Sequence, residues 1–335
     1  MEMLGRYFSA AASALEFHLQ RFWREWLLGL AIFFFIFGGV YYLFLAPPAQ
    51  FPRGAIIVIA RGESAATLAS ALGTANIVKD PQLLRALLRV SGRAGAIHSG
   101  AFRFQYPQNL LTVAYRLIVG DSGIPPVRIT FPDGTTARAM APRVAAALPE
   151  ISASDFITAA EPYEGYLFPD TYIFTADATA DSVVATLRDN FDAKLQPLLP
   201  AIAASGHSLS DIVIMASIVE KEARTSADKA MVAGILWNRI KLGMPLQTDV
   251  VFGYIFGRET YAPSLVDLTV DSPYNTYTHK GLPPGPIDSP GLASLEAAIN
   301  PTPSKYLYYL ADKNGVMHYA TTFAQHEANV VKYLK

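Results

Sequence analysis

The chain reads as an α+β protein attached to a single N-terminal transmembrane helix. Three observations predict this. The run LLGLAIFFFIFGGVYYLFL, residues 27–45, holds nineteen residues and no charge. Behind it, short β-branched stretches alternate with stretches of helical period, as in small mixed modules. Hydrophobic residues make up 51% of the 335 positions and charged residues 16%, a balance that suits packed modules plus an apolar span and excludes a disordered chain.

The elements follow in order. At ~1.5 Å per residue, a helix over 27–45 covers roughly the ~30 Å hydrocarbon core of a bilayer. Trp23 and Trp26 flank one end and Tyr41 and Tyr42 the other, as interfacial aromatics do, and Pro47-Pro48 stops the helix. Arg21 and Arg24 precede the span, whereas the first basic residue after it is Arg53. The excess of Lys and Arg ahead of the span keeps residues 1–26 in the cytoplasm. A cleaved signal peptide is the competing reading. The long leader and the poor cleavage site at Ala46-Pro47-Pro48-Ala49 speak against it.

Residues 46–53 form a Pro-containing linker. A short strand over 56–59 is ended by Arg61-Gly62, and Ser64 can cap a helix to about Leu72. Asp80-Pro81 opens a second helix with a cap residue and a proline at its first position. Residues 128–148 echo this unit: a strand over 128–131, a Pro132-Asp133-Gly134 turn, and a helix beginning at Thr135 or Thr136. Further on, a helix starts near Ser208 or Ser210 and passes through 212–222, and another carries 232–241. Residues 271–291 are rich in proline and glycine and read as a long irregular loop, which inside a compact domain is usually functional. Near the end, 306–310 and 317–319 flank Lys313-Asn314-Gly315, a hairpin signal.

A formal net charge of −1 gives no electrostatic footprint for nucleic acid. The chain has no cysteine, hence no disulfide and no thiolate metal site, and its six histidines lack the spacing of zinc ligands. Nucleotide-binding, zinc-protease and serine-hydrolase motifs are all missing, so neither a metal nor a cofactor is expected.

The segment IVIMASIVEKE, residues 212–222, carries the chemistry. At ~100° per residue its apolar side chains surround the axis between 212 and 219, so the helix is buried. Glu220 then shares an edge with Val213 and Ala216, and Glu222 lies over Met215 and Ile218. Both border apolar surface, and periodicity does not choose between them. Burial raises a glutamate's pKa, which a general acid needs at neutral pH. On the pattern alone both also read as solvent-facing residues paired with Lys221, Arg224 or a remote cation. Being two residues apart, they point roughly 200° away from each other. They cannot form the carboxylate pair of an ordinary glycosidase, so a second carboxylate would come from Glu164, Asp170 or Asp249. The aromatic and acidic stretch EPYEGYLFPDTYIF (161–174), with Tyr274-Asn275-Thr276-Tyr277, has the mixture that stacks on sugar rings and binds hydroxyls; core and turn roles explain the same aromatics.

Taken together, EGYLFPDTY (164–172), ASIVEKE (216–222), WNRIKLGMPLQTD (237–249) and SPYNTYTHKGLPPGPI (272–287) resemble the endolytic murein transglycosylases of the MltG (YceG-like) family. The resemblance implies a LysM-like module over 54–122 and a catalytic domain over 123–335. It implies that Glu220, the first glutamate of ASIVEKE, is the catalytic residue. It makes Gln247, Tyr274, Asn275 and Tyr277 walls of a glycan groove, with Glu164, Asp249 and Glu222 beside them. Similar proteins follow LQ-x-D with Pro-Thr, whereas this chain has Val250-Val251, so Asp249 is carried over less firmly.

The implied substrate is a nascent peptidoglycan strand. It is cut between N-acetylmuramic acid and N-acetylglucosamine to leave a 1,6-anhydro end, which terminates strand growth. The implied setting is the inner membrane, with the catalytic domain in the periplasm and peptidoglycan synthases as partners. A muramidase-type hydrolase and a non-catalytic glycan-binding scaffold are the alternatives.

Overall fold

The structure, a computed structural model, describes residues 22–60, 62–91 and 97–335. Arg21 with most of the leader, and Arg61 at the expected end of the first strand, lie outside the described residues. The chain divides into two units, the first ending at Pro125 and the second beginning at Pro126.

Among the described residues of the first unit, one helix is long and apolar enough to cross a membrane: Phe22–Leu45, with mean hydropathy 2.2 and no part of its apolar window buried by protein. It begins ahead of the uncharged run, so Arg24 and Glu25 sit on its first turns. Its last turn, Tyr41–Leu45, is π-helical. There the Lys79 ammonium donates to the Tyr42 carbonyl at 2.8 Å and lies 4.3 Å over the Tyr42 ring.

The rest of this unit runs β1 (Ala55–Ile59), α1 (Ala65–Thr74), α2 (Pro81–Val90), β2 (Gly100–Phe104) and α3 (Leu110–Val119). Ser64 caps α1 by accepting from the Thr67 N–H, and Asp80 caps α2. The strands pair antiparallel with Ile57 opposite Phe102. Leu68, Leu72, Leu84, Leu88, Phe102 and Phe104 form the core beneath them.

The same order opens the second unit: β3 (Val127–Thr130), α4 (Ala137–Ala147), α5 (Ala153–Ala160) and β4 (Thr171–Phe174), with Ile129 opposite Tyr172. The echo seen in the sequence is thus one of topology, strand–helix–helix–strand in both. A helical layer follows, with α6 (Ala180–Leu195), α7 (Leu199–Ser205), α8 (Leu209–Glu222), α9 (Ser226–Lys241), α10 (Val251–Ile255) and α11 (Leu292–Ile299).

Ser208 starts α8 in a capping box with Asp211. Every residue from 212 to 219 is buried, as the all-round apolar pattern requires. Helices α9 and α11 enclose it. The stretch 271–291 holds no helix or strand. The hairpin is β5 (Tyr308–Ala311) with β6 (Met317–Ala320), turned at Gly315 with φ 81°, and α12 (Phe323–Tyr333) closes the chain. Among the described residues there are three sheets, each two-stranded, in a mixture of helix and strand.

Candidate functional site

Helix α8 ends with two glutamates facing opposite ways, and their surroundings differ in kind. Glu220 is consumed. Its side chain is 9% exposed and pairs at 2.8 Å with Lys229 of α9, itself 7% exposed. The other oxygen accepts from the Ser294 hydroxyl of α11 at 2.6 Å and from the Gly291 N–H at 3.1 Å. Where the helical wheel placed an apolar border, the structure has a closed polar knot tying α8, α9 and α11 together. Catalysis was assigned to Glu220 by resemblance. In this structure both of its oxygens are engaged by groups that would have to be displaced before substrate could approach.

Glu222 is the opposite case. Burial lifts its carboxyl to about 7; the Tyr309 hydroxyl and Arg239 pull it down, and the Asp249 charge pushes it further up. Tyr309 comes from β5 and Arg239 from α9. The Arg239 guanidinium donates to Leu307 O at 2.7 Å and Leu246 O at 2.6 Å, so one buried side chain fixes both the hairpin and the segment before Gln247. Gln247 takes φ 51°, unusual for a non-glycine residue. That turn is held by hydrogen bonds across to Thr276, from Gln247 N–H at 3.1 Å and Thr248 N–H at 3.0 Å. Asp249 is thereby brought to Tyr277, whose hydroxyl donates to it at 2.6 Å. The Tyr277 hydroxyl feels the Glu222 charge as well. Glu222, Asp249, Tyr277, Tyr309 and Arg239 form one constellation. Glu222 also lines a cavity of about 220 Å³ with Arg224, Asp228, Asp312, Lys313 and Met317.

The remaining expected residues separate. Asn275 is fully buried. Its amide donates to Leu268 O at 3.0 Å and Val270 O at 2.9 Å, and its carbonyl accepts from Tyr277 N–H at 3.0 Å. It therefore pins the loop, and its side-chain amide is engaged within the protein. Glu164 accepts from the Ala137 N–H at the start of α4, and burial lifts it to about 7. It lines a second cavity of about 410 Å³ with Arg138, Glu161, Tyr254 and Arg258. Tyr274 packs on Tyr254 with ring centroids 4.9 Å apart. In the stretch 161–174, Leu167, Phe168, Tyr172 and Phe174 are core, so most of its apparent sugar-binding surface is structural.

The sequence reading missed Tyr309 and Arg239, which looked like ordinary strand and helix residues. It also missed Asp288, fully buried with neither oxygen hydrogen-bonded, whose carboxyl is driven well above the carboxylate range by desolvation. Among the described residues no group of three or more His, Asp or Glu is arranged to hold a metal.

The profile of the YceG-like family matches residues 57–332. An endolytic murein transglycosylase of Bacillus subtilis (strain 168) is 28% identical over 305 residues, covering 83% of this chain and 84% of that protein. One from Streptococcus pneumoniae serotype 2 (strain D39) is 36% identical over 177 residues, which is 51% of this chain; the match spans only 32% of the longer pneumococcal protein. The crystal structure of a YceG-like protein from Listeria monocytogenes aligns with a TM-score of 0.57 and 26% identity, covering 82% of this chain and 99% of that one.

Proposed function

This chain belongs to the YceG-like family, and we propose that it is an endolytic murein transglycosylase whose catalytic carboxyl is Glu222. The observation that carries the reading is the Glu222 carboxyl itself. It is raised to about 7, where a group can both give and take a proton at neutral pH, and it borders an open cavity.

Neutral Glu222 protonates the oxygen that bridges N-acetylmuramic acid to N-acetylglucosamine. The resulting carboxylate then takes the proton from the muramic acid 6-hydroxyl as that oxygen closes on the anomeric carbon. Atoms balance without water, and the product carries a 1,6-anhydro ring. Internal attack also benefits from high effective molarity, so one carboxyl suffices. Asp249 and the Tyr277 hydroxyl, joined at 2.6 Å, sit beside it to orient the sugar, with Gln247 and Tyr274 as further groove contacts.

The remainder of the reading places the protein in the bacterial inner membrane. Residues 22–45 cross it, the N-terminus lies in the cytoplasm and the catalytic unit faces the periplasm. The β1–α1–α2–β2 module, with its antiparallel strand pair, is the LysM-like module that the resemblance implies. Murein synthases, which supply new strands, are the natural partners.

Mass spectrometry of products from purified glycan strands tests the chemistry. Anhydro ends, lighter by one water and free of oxygen from labelled solvent, are expected. Solvent label in the new reducing end would replace this reading with a muramidase-type hydrolysis, for which Asp249 would be the second carboxyl.

A further inference from the structure

The cavity bordered by Glu222 has a charge pattern that the proton chemistry does not use. Four ionisable side chains other than Glu222 line it: Arg224, Asp228, Asp312 and Lys313. The two acids are already spent. Asp228 accepts from the Tyr319 hydroxyl at 2.8 Å and, through its other oxygen, from the Thr225 hydroxyl at 2.6 Å. One oxygen of Asp312 takes the Asn314 and Val316 N–H groups at 2.8 and 3.0 Å, closing the hairpin turn, and the other meets His318 at 3.2 Å.

The two cations have no such partners: neither Arg224 nor Lys313 makes an ion pair or hydrogen bond among the described residues. Both are exposed, and the Arg224 guanidinium lies alongside Gly315 in the same turn that carries Lys313. The two carboxylates balance the two cations in charge, but their oxygens are engaged, so the open groups next to the reacting carboxyl are the donors of Arg224 and Lys313.

Murein glycan is uncharged along its sugar backbone. Its negative groups are carboxylates hung from muramic acid, either the free lactyl acid or the acids of a stem peptide. We infer that the cavity beside Glu222 is a carboxylate subsite, in which Arg224 and Lys313 grip the acidic substituent of the muramic acid residue being cut. This rests on the transglycosylase reading and adds to it a device for setting register. Muramic acid alternates with a sugar that lacks the acid, so a cation pair beside the proton donor would place only the bond after muramic acid within reach. Guanidinium and ammonium both suit a carboxylate, the first by a two-pronged contact and the second as a point charge.

The test uses the full chain in detergent and three glycan oligosaccharides of equal length. One carries free lactyl carboxylates, one has them converted to neutral methylamides, and one bears stem peptides. Binding is measured by calorimetry and cleavage by product analysis. The wild type should bind a carboxylate-bearing oligosaccharide at least about tenfold more tightly than the methylamide. The Arg224→Gln/Lys313→Gln double variant should lose that preference and show a raised KM with kcat within about twofold. Arg224→Lys should keep part of it.

A preference for the free lactyl form assigns the subsite to the lactyl acid, and one for the stem-bearing form assigns it to the peptide; either supports the inference. Equal affinity of the wild type for charged and neutral forms overturns it, as does a double variant that still discriminates. Binding preference intact but no strand cleaved by the wild type would leave the subsite standing and defeat the transglycosylase reading instead.

Discussion

Replacing Glu222 by Gln separates the catalytic reading from a structural one, because the two predict opposite changes in stability. The carboxyl moves from an ordinary 4.5 to about 7 in the fold, mainly through burial. That difference of about 2.5, at ~1.36 kcal/mol each, puts the cost of ionising Glu222 in place at up to ~3 kcal/mol, less whatever water in the cavity screens. The sign follows from linkage. Below pH ~4.5 the group is neutral folded and unfolded and costs nothing. Between ~4.5 and ~7 the folded form holds the proton that the unfolded form has lost, so stability declines as pH rises. Above ~7 the whole penalty is present.

Glu222→Gln keeps the shape and an acceptor for Tyr309, and it cannot ionise. It should match the wild type near pH 4 and melt several degrees higher at pH 8. Its strand-cleaving activity should fall by ~10²-fold or more. In the wild type kcat/KM should decline as pH rises through about 7, where the acid form is lost. Thermal melts at both pH values, with product assays across pH 5–9, make the comparison. A folded and fully active Glu222→Gln protein would sink the assignment, as would an activity profile that breaks near the ordinary glutamate value.

Glu220→Gln should behave inversely: it leaves Lys229 buried without its counter-charge, costing ~3–5 kcal/mol, while activity per folded molecule survives. Adding Lys229→Met should recover much of that stability in chemical denaturation, and loss of activity without loss of stability would return the catalytic role to Glu220. Asn275→Ala strips a buried amide from two carbonyls and an N–H, so the melting curve should show a loss of ~1–3 kcal/mol even without glycan present; an unchanged melt with weakened glycan binding would make it a ligand contact after all. The full-length protein should sediment with membranes and resist high-salt extraction, whereas a version starting near Ala49 should stay in the supernatant; release of the former by salt alone would rule out the span.

The legible parts of this fold were those whose cause is local. Ser64, Asp80 and Ser208 each cap the helix that follows, since a cap needs only a side-chain oxygen and the amides two or three residues on. The buried helix at 212–219 announced itself because an apolar ring has one physical explanation. β2 and β4 went unread for the converse reason. Gly100–Phe104 shows no turn signal of its own, and the buried Tyr172 and Phe174 of β4 sit among acids and prolines that suggested a binding surface. The candidate site was partly legible: the sequence puts catalysis on Glu220 with Glu222, Asp249 and Tyr277 beside the groove, but nothing in it joins Glu222 to Tyr309, because that contact depends on where a distant hairpin lands.

The choice between two glutamates on one helix end turns on what each oxygen already does. A buried carboxylate met by an ammonium, a hydroxyl and an amide has its desolvation offset by those donors, and the same donors bar it from new partners. Glu220 therefore ties together the three helices it joins, and on the proposed reading that is its role. Glu222 has one hydroxyl, a nearby arginine occupied with backbone carbonyls, and an acid for a neighbour. Its desolvation is left largely uncompensated, so its carboxyl sits high. On the proposed reading, the Glu220 knot anchors the same helix end that carries Glu222. On that reading, the two acids two residues apart divide anchoring from proton transfer. The helical wheel shows that they part company but not which is which, because the sign of each environment is set by residues outside the helix.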